Sequence, residues 1–466
     1  MPGLTLVGLG AGDWTALSPT ARAALAAGEV YLRTRHHPTV HQEPTLAARP
    51  AFAERLRDGE SIAATIDAWV TTLVDAAAER PVVYAVPGNP LVGDATVAAL
   101  LARAGEAGID VQAVPGGSLV DAAAQVLPPA ALAPGLQVID ALDLAMVAER
   151  APCGGGADAL SPLRPLLLLH SAPALVIDLA RRVLARIYPA DAALRIVAPA
   201  GPGELATRAA TLADWTSAPE DAVALYVEPV SPVRSGRTSD ALQQIVARLR
   251  APGGCPWDRE QTHRSLVQAA IEEVYEVVDA IERDDPAALR EELGDLLLQV
   301  YLHAQIAEEA DTFTLEDVHS DLAAKLVRRH PHVFGATPAA TAHEVLENWD
   351  RIKRAERAER GESDDAHPLG RIPEALPALM RAQTVVRRAR RLGCLPSDVA
   401  ATPAGWSPRA AEPGASVAST IADALMAIVL AATEAGVDAE QVLRERTRQL
   451  EAATRGATIG TENNRP

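Results

Sequence analysis

The sequence predicts a multi-domain chain: an α/β first half followed by a half built from helices alone. Three observations predict it. Apolar runs of strand length, each ending in a Gly/Pro turn, recur through the first 230 residues. A Pro/Ser/Gly-rich stretch, Pro229 to Asp240, then breaks the pattern and reads as a linker. Beyond it the apolar spacing is helical only, and one stretch, Ile271 to Gln299, sets carboxylates beside an apolar stripe.

The 466 residues leave room for about three domains. A hydrophobic content of 48% supports sizeable cores, and with 3% aromatics these must be made of Ala, Leu and Val. The net charge of −18 argues against nucleic-acid or anionic-membrane partners, so a polyanionic substrate would need metal ions or a local basic cluster. Cys153, Cys255 and Cys394 form no disulfide or metal framework, which fits a reducing cytoplasm. No signal peptide is visible, and the longest apolar runs, such as Leu425 to Ala432, are too short to span a bilayer.

Leu4 to Leu9 is a buried-strand candidate running into the glycine turn Gly8 to Asp13. A helix over Thr20 to Ala27 and a strand over Val30 to Leu32 follow. Pro81 to Val86 is a further strand ending in V-P-G-N-P, and Val111 to Val114 is another ending in P-G-G-S. Glycines placed there let backbone N–H groups approach a ligand, and open α/β sheets bind ligands outside the carboxyl ends of strands. Leu166 to Leu169, Leu194 to Val197 and Ala222 to Val227 are the next strand candidates.

V-G-L-G-A-G-D, V-P-G-N-P-L-V and V-P-G-G-S, in that order, resemble the tetrapyrrole (corrin/porphyrin) methylase family. The resemblance covers the first half and implies two α/β subdomains with S-adenosylmethionine between them. It implies that Gly10, Gly88, Asn89, Pro90, Gly116 and Ser118 lie near that pocket. The chain departs from the family at Ala11, at Asn89, and at His170-Ser171-Ala172.

In the acidic stretch, Ile271, Val274, Val278 and Ile281 recur at helical spacing, as do Leu289, Leu293, Leu296 and Val300, and both stripes should face a core. Asp285-Pro286 is a cap and first-turn pair, so two helices should pack as an antiparallel hairpin. Glu272, Glu273, Glu276 and Asp279 line the first helix, and Glu292, Asp295 and Gln299 line the second. A solvated acidic face would interleave opposite charges, yet Glu272, Glu273, Glu292 and Asp295 have no Lys or Arg three or four residues away. A divalent cation would offset that repulsion, and hard oxygen donors suit Mg²⁺ or Mn²⁺.

Downstream, Lys325, Arg328 and Arg329 form a basic cluster at a helix end before Pro331. It either complements the helix dipole or binds phosphates. Trp349, with Lys353 four residues on, offers either a stacking surface or a core residue.

C-P-W-D-R-E-Q-T-H, E-E-V-Y-E, E-L-G-D-L-L-L-Q, R-R-H-P-H-V-F and N-W-D-R-I-K resemble the MazG family of nucleoside triphosphate pyrophosphohydrolases. The resemblance implies an all-α homodimer with Mg²⁺ on Glu272, Glu273 or Glu276, Glu292 and Asp295, hydrolysing nucleoside triphosphates to monophosphate and pyrophosphate. A methylase-like domain fused to a MazG domain is similar to YabN-like bacterial proteins. Pro377 to Arg391 resembles the start of a second MazG repeat, in which only Asp423 survives of the metal set. One carboxylate cannot assemble a divalent site, so this repeat should be structural.

The expected layout is a methylase-like domain over 1–230, a linker over 231–240, a MazG domain over 241–365, a degenerate repeat over 366–455 and a disordered tail over 456–466. The expected catalytic pair is Glu273 and Glu276, undecided between them. Lys325, Arg328, Arg329, Trp349 and Lys353 would hold substrate. The alternative function is an S-adenosylmethionine-dependent methyltransferase with a regulatory helical domain.

Overall fold

The computed structural model describes residues 2–132, 135–150, 160–170, 174–201, 204–216, 222–335, 341, 344–345, 348–349, 351–352, 355–356, 369, 372–396 and 416–456. The chain forms two compact units, Met1–Val318 and His319–Pro466.

The first unit opens with β1 (Gly3–Gly8), α1 (Pro19–Ala27), β2 (Glu29–Leu32), α2 (Pro38–Gln42), α3 (Pro44–Ala47), α4 (Ile62–Glu79), β3 (Pro81–Val86), α5 (Ala95–Glu106) and β4 (Val111–Val114). The strands pair all-parallel in the order β2-β3-β1-β4. Parallel sheets are covered on both faces, and β1 and β3 accordingly read as apolar runs and are buried. The scarce aromatics are concentrated here. Trp69 of α4 is fully buried, with the rings of Tyr31, Phe52 and Tyr84 edge-on at 5.7, 6.1 and 6.1 Å.

A second sheet follows: α6 (Leu119–Val126), β5 (Gln137–Asp140), α7 (Ala141–Arg150), β6 (Leu166–Leu169), α8 (Ala174–Ile187), β7 (Ala193–Gly201), β8 (Glu204–Thr211) and β9 (Ala224–Val227). Its order is β5-β6-β9-β7-β8, with β5 and β6 parallel and the other pairs antiparallel. Leu4, Leu6 and Trp69 share one core cluster with Leu166, Leu168 and Leu225, so the two sheets are one folding unit. The sequence pattern finds every described strand except β5 and β8. β8 is an edge strand that buries none of its residues fully, so it carries no apolar run to read.

The expected linker contains a one-turn helix, α9 (Pro232–Ser235). Then come α10 (Ser239–Arg250), α11 (Pro256–Glu260), α12 (Val267–Glu282) and α13 (Pro286–Glu309). Val246, Leu266, Tyr301, Leu302 and Leu315 form their core. Here an expectation fails. Ile271, Val274 and Ile281 of the first apolar stripe are 38, 46 and 55% exposed, and Leu293 and Val300 of the second are 49 and 42% exposed. Helical periodicity reports that a face is apolar, not what covers it. Within this unit the hairpin buries Ala280 of α12 and Gln299, Tyr301, Leu302, Ala304 and Ala307 of α13.

In the second unit the described helices are Leu315–Arg329 beyond its first turn, Pro331–Phe334, Ala378–Arg391, Val417–Glu434 and Ala439–Gly456. Val386, Val429 and Leu430 make a small core, and the buried Gln383 amide ties it by bonds to Val437 O (2.8 Å) and Ala439 N (2.9 Å). Val417–Glu434 has a mean hydropathy of 1.6 over 18 residues, long and apolar enough to cross a membrane by length and composition. The uninterrupted apolar run inside it, Ala424 to Ala432, is as short as expected, and the helix reaches 18 residues by including Asp423, Glu434 and several Ser and Thr. Lys353, the Pro/Gly-rich 404–415 and the tail 457–466 lie outside the described residues.

Candidate metal centre and cofactor cleft

The acidic hairpin forms as its sequence requires. Asp285 caps α13 by accepting from Ala287 N and Ala288 N, both at 3.0 Å, and Pro286 takes the first helical position. Antiparallel packing of α12 on α13 brings Glu273, Glu276 and Glu292 together, with one oxygen from each lying within 4.8 Å of the others. Partial burial pushes the Glu273 carboxyl up, and so do the charges of Asp295, Glu276 and Glu292. Glu292 is raised likewise by desolvation, Glu276, Glu291 and Asp295, with Arg283 opposing. These carboxylates repel one another without a cation among them, as expected of a divalent site.

Five ligands were expected from the sequence, and they are not equivalent. Asp295 is exposed and lies beside the three-glutamate cluster, close enough to raise its neighbours. Glu272 points away and accepts from Gln268 Nε2 at 3.2 Å. Asp279, in the same sequence stripe, is instead paired with Arg283 at 2.9 Å.

In the second unit, Lys325 is exposed, while Arg328 and Arg329 converge on Glu356 at 2.7 and 2.6 Å. The two guanidiniums hold that carboxyl far below its usual range, the Arg329 hydrogen bond contributing most. Trp349 meets the His330 ring edge-on at 5.2 Å. Glu356 was legible only as an acid beyond N-W-D-R-I-K, with nothing local to single it out.

The N-terminal glycine turns meet at the strand ends. Gly10 N donates to Gly88 O at 3.2 Å, and Gly88 N donates to Gly10 O at 2.8 Å. A Cβ on Gly8 would fall 2.3 Å from Gly116 N and 2.4 Å from Gly88 O, so side chains are excluded where the three turns touch. At Gly117 and on the open side of Gly10 a Cβ would meet nothing closer than 3.6 Å, which leaves room for a ligand against the backbone. Ser118 caps α6 through Val120 N (3.1 Å), the Asn89 carbonyl accepts from Leu91 N (3.1 Å), and Pro90 is buried. Two of the six expected cofactor residues thus shape the turns with their side chains.

Sequence reading missed a buried charge network beside these turns. Arg33, just past β2, lies 3.4 Å from Asp94, the cap of α5, and 3.3 Å from Asp140 at the end of β5. His170, just past β6, contacts Asp140 at 3.3 Å and has φ of 56°, a left-handed conformation unusual outside glycine. All four residues are at most 8% exposed. Burial pushes Asp140 up, and the Arg33 and His170 charges more than offset it, holding it at about 2. The only local signal was a charged or imidazole residue at several strand ends.

Comparison with known proteins matches the two halves separately. Residues 3–213 fit the model for Tetrapyrrole (Corrin/Porphyrin) Methylases, and residues 261–334 fit that for the MazG nucleotide pyrophosphohydrolase domain. The YabN protein of Bacillus subtilis (strain 168) is 34% identical over 384 residues, covering 81% of this chain and 75% of YabN. The nucleoside triphosphate pyrophosphohydrolase of Escherichia coli (strain K12) is 47% identical over 155 residues, 33% of this chain and 58% of that enzyme. The chain thus spans less than two thirds of that relative. A crystal structure of uroporphyrin-III-C-methyltransferase from Thermus thermophilus covers 49% of this chain and 94% of its own, at 23% identity and a TM-score of 0.31. The chain belongs to the YabN family: a tetrapyrrole-methylase-type α/β domain followed by a MazG-type helical domain.

Proposed function

We propose that the helical domain is a Mg²⁺-dependent nucleoside triphosphate pyrophosphohydrolase that cleaves between the α- and β-phosphates, clearing unwanted nucleotides from the cytoplasmic pool. The observation that carries this reading is the convergence of Glu273, Glu276 and Glu292 inside the segment that matches the MazG model. Three hard oxygen donors, two of them with raised proton affinities, fit a divalent ion, with Asp295 beside them. Bound there, Mg²⁺ or Mn²⁺ would neutralise phosphate charge and make a water nucleophilic at neutral pH. Glu273 or Glu276 would accept the proton of the attacking water. Lys325, Arg328, Arg329, Trp349 and Lys353 remain the candidates for holding the outer part of the substrate. Incubating the full chain with Mg²⁺ and a nucleoside triphosphate should give equal amounts of monophosphate and pyrophosphate. Release of orthophosphate instead would overturn the assigned scissile bond.

The exposed stripes on α12 and α13 fit a homodimer in which a second hairpin covers them. Val274→Asp combined with Leu293→Asp should halve the mass measured by light scattering and leave the helical circular dichroism unchanged. An unaltered dimer would move the interface elsewhere.

The glycine turns favour a second reading for the N-terminal domain, S-adenosylmethionine binding at Gly10, Gly88 and Gly116. Calorimetry with S-adenosylmethionine or S-adenosylhomocysteine should show one site per chain, lost in Gly88→Val. There φ is 68° and a Cβ would fall 2.7 Å from Leu119 Cγ. Absence of heat at millimolar ligand would reduce this domain to a scaffold.

A further inference from the structure

One buried polar group in the hairpin has no role in the chemistry above. Gln299 is 7% exposed, and its side-chain carbonyl has no hydrogen-bond partner among the described residues. Buried carbonyls are nearly always satisfied, so an unmet one asks for a donor from outside the protein. Its place is informative. At one meeting point of the two helices Glu273 faces Asp295. At another, His263, in the loop before α12, meets His303 of α13, with Nδ1 atoms 2.8 Å apart. Asp295, Gln299 and His303 are spaced by four, so they share one face of α13, about 6 Å apart per step. Gln299 therefore lies in the seam between the carboxylates and the histidine pair.

That pair is flat and aromatic. The rings are 8° from parallel with centroids 5.1 Å apart and meet edge to edge through their Nδ1 atoms, forming one extended plane, and His263 is exposed. Burial and the neighbouring His263 lower the proton affinity of His303. The seam thus holds anionic ligands for a metal at one end, a planar surface about 12 Å along the helix, and an unmet acceptor between them.

We propose that this seam is the nucleobase subsite, in which the Gln299 carbonyl takes a hydrogen bond from the exocyclic amine of cytosine or adenine while the His263–His303 pair supports the base. Uracil and thymine would present a carbonyl to a carbonyl there. The inference rests on the proposed hydrolase reading for its phosphate end, and it names the substrate class as nucleotides of amino-bearing bases.

The test measures binding separately from turnover. The α,β-imido analogues of dCTP and dUTP, which cannot be cleaved at the assigned bond, are titrated with Mg²⁺ into the full chain by calorimetry. Wild type should bind the cytosine analogue about tenfold tighter, the worth of one good hydrogen bond. Gln299→Leu should bring the two affinities within about twofold, since leucine removes the hydrogen bond that the cytosine analogue uses and the carbonyl that opposes the uracil analogue. Gln299→Met serves if the leucine variant is unstable. His303→Ala should weaken both analogues together, and His303→Phe should restore them. Equal affinities in wild type, binding of neither analogue, or equal weakening of both in the Gln299 variants would overturn the subsite. Pyrophosphate release from dCTP, followed in parallel, tests the hydrolase reading by itself. Selective binding without release would sink hydrolysis and keep the subsite, and release without selectivity would do the reverse.

Discussion

Glu276→Gln should abolish pyrophosphate release while leaving the fold intact. The substitution keeps the shape of the side chain and removes one of three oxygens that lie within 4.8 Å of one another. A metal supplies several kcal/mol of transition-state stabilisation in such sites, so a loss of about 10³-fold in rate is expected. Stability should move the other way. Glu273 and Glu292 have raised proton affinities, partly because Glu276 is charged beside them. A carboxyl raised in the folded state favours folding at pH below its ordinary value, and that contribution is lost as pH rises through the raised one. The metal-free wild type should therefore lose stability between mild acid and neutrality, and Glu276→Gln should lose less. Mg²⁺ at 100 times its Kd should stabilise wild type by about 2.7 kcal/mol and leave the variant unmoved. Melting curves at pH 5 and pH 7, with and without Mg²⁺, decide this. Equal Mg²⁺ shifts in both proteins would remove Glu276 from the site.

Arg33→Met should strongly destabilise the N-terminal domain. Arg33 is 3% exposed and is the guanidinium partner of both Asp94 and Asp140, themselves 6 and 1% exposed. Taking away one partner of a buried ion pair costs about 3–5 kcal/mol because the remaining charge has no solvent. For a domain of this size that is roughly a 10 °C fall in Tm. The pH profile gives a sharper test. In wild type Asp140 is held at about 2, so its contribution is present above the ordinary carboxyl range and is lost as pH falls from about 4 to 2. Without Arg33 the buried carboxylates are raised instead. The variant should then be most stable in mild acid and weaken toward neutral pH. A variant whose Tm still falls on acidification through that window would show that His170 and the backbone donors suffice.

The hairpin shows how far the linear pattern reaches. Spacing placed the carboxylates on one side of two helices, and Asp285-Pro286 placed the turn, because caps and periodicity are local properties. Spacing could not rank the acids. Glu272 and Glu273 are neighbours in sequence, yet one accepts from Gln268 and the other joins the cluster. A helix advances about 100° per residue, so adjacent acids face different surroundings, and which surroundings depends on the partner helix. The apolar stripes failed for the same reason: Ile281 is as periodic as any core residue and is 55% exposed.

The N-terminal domain divides similarly. Glycine turns after β1, β3 and β4 were visible in order, because a Cβ on Gly8 or Gly116 would fall 2.4 Å from the Gly88 carbonyl oxygen, which only glycine avoids. The network of Arg33, Asp94, Asp140 and His170 was not visible. Its members are up to 137 residues apart in sequence, and each looks like an ordinary polar residue at a strand end.

By itself the sequence determined the order of the elements, the two halves and their families, and the carboxylate hairpin. These rest on short-range periodicity, turn chemistry and ordered motifs. Only the tertiary structure decided which carboxylates converge, which apolar face stays open, where the buried charges neutralise one another and which amide is left unmet. Each of those depends on the distance between residues that the chain brings together only when its helices and sheets pack.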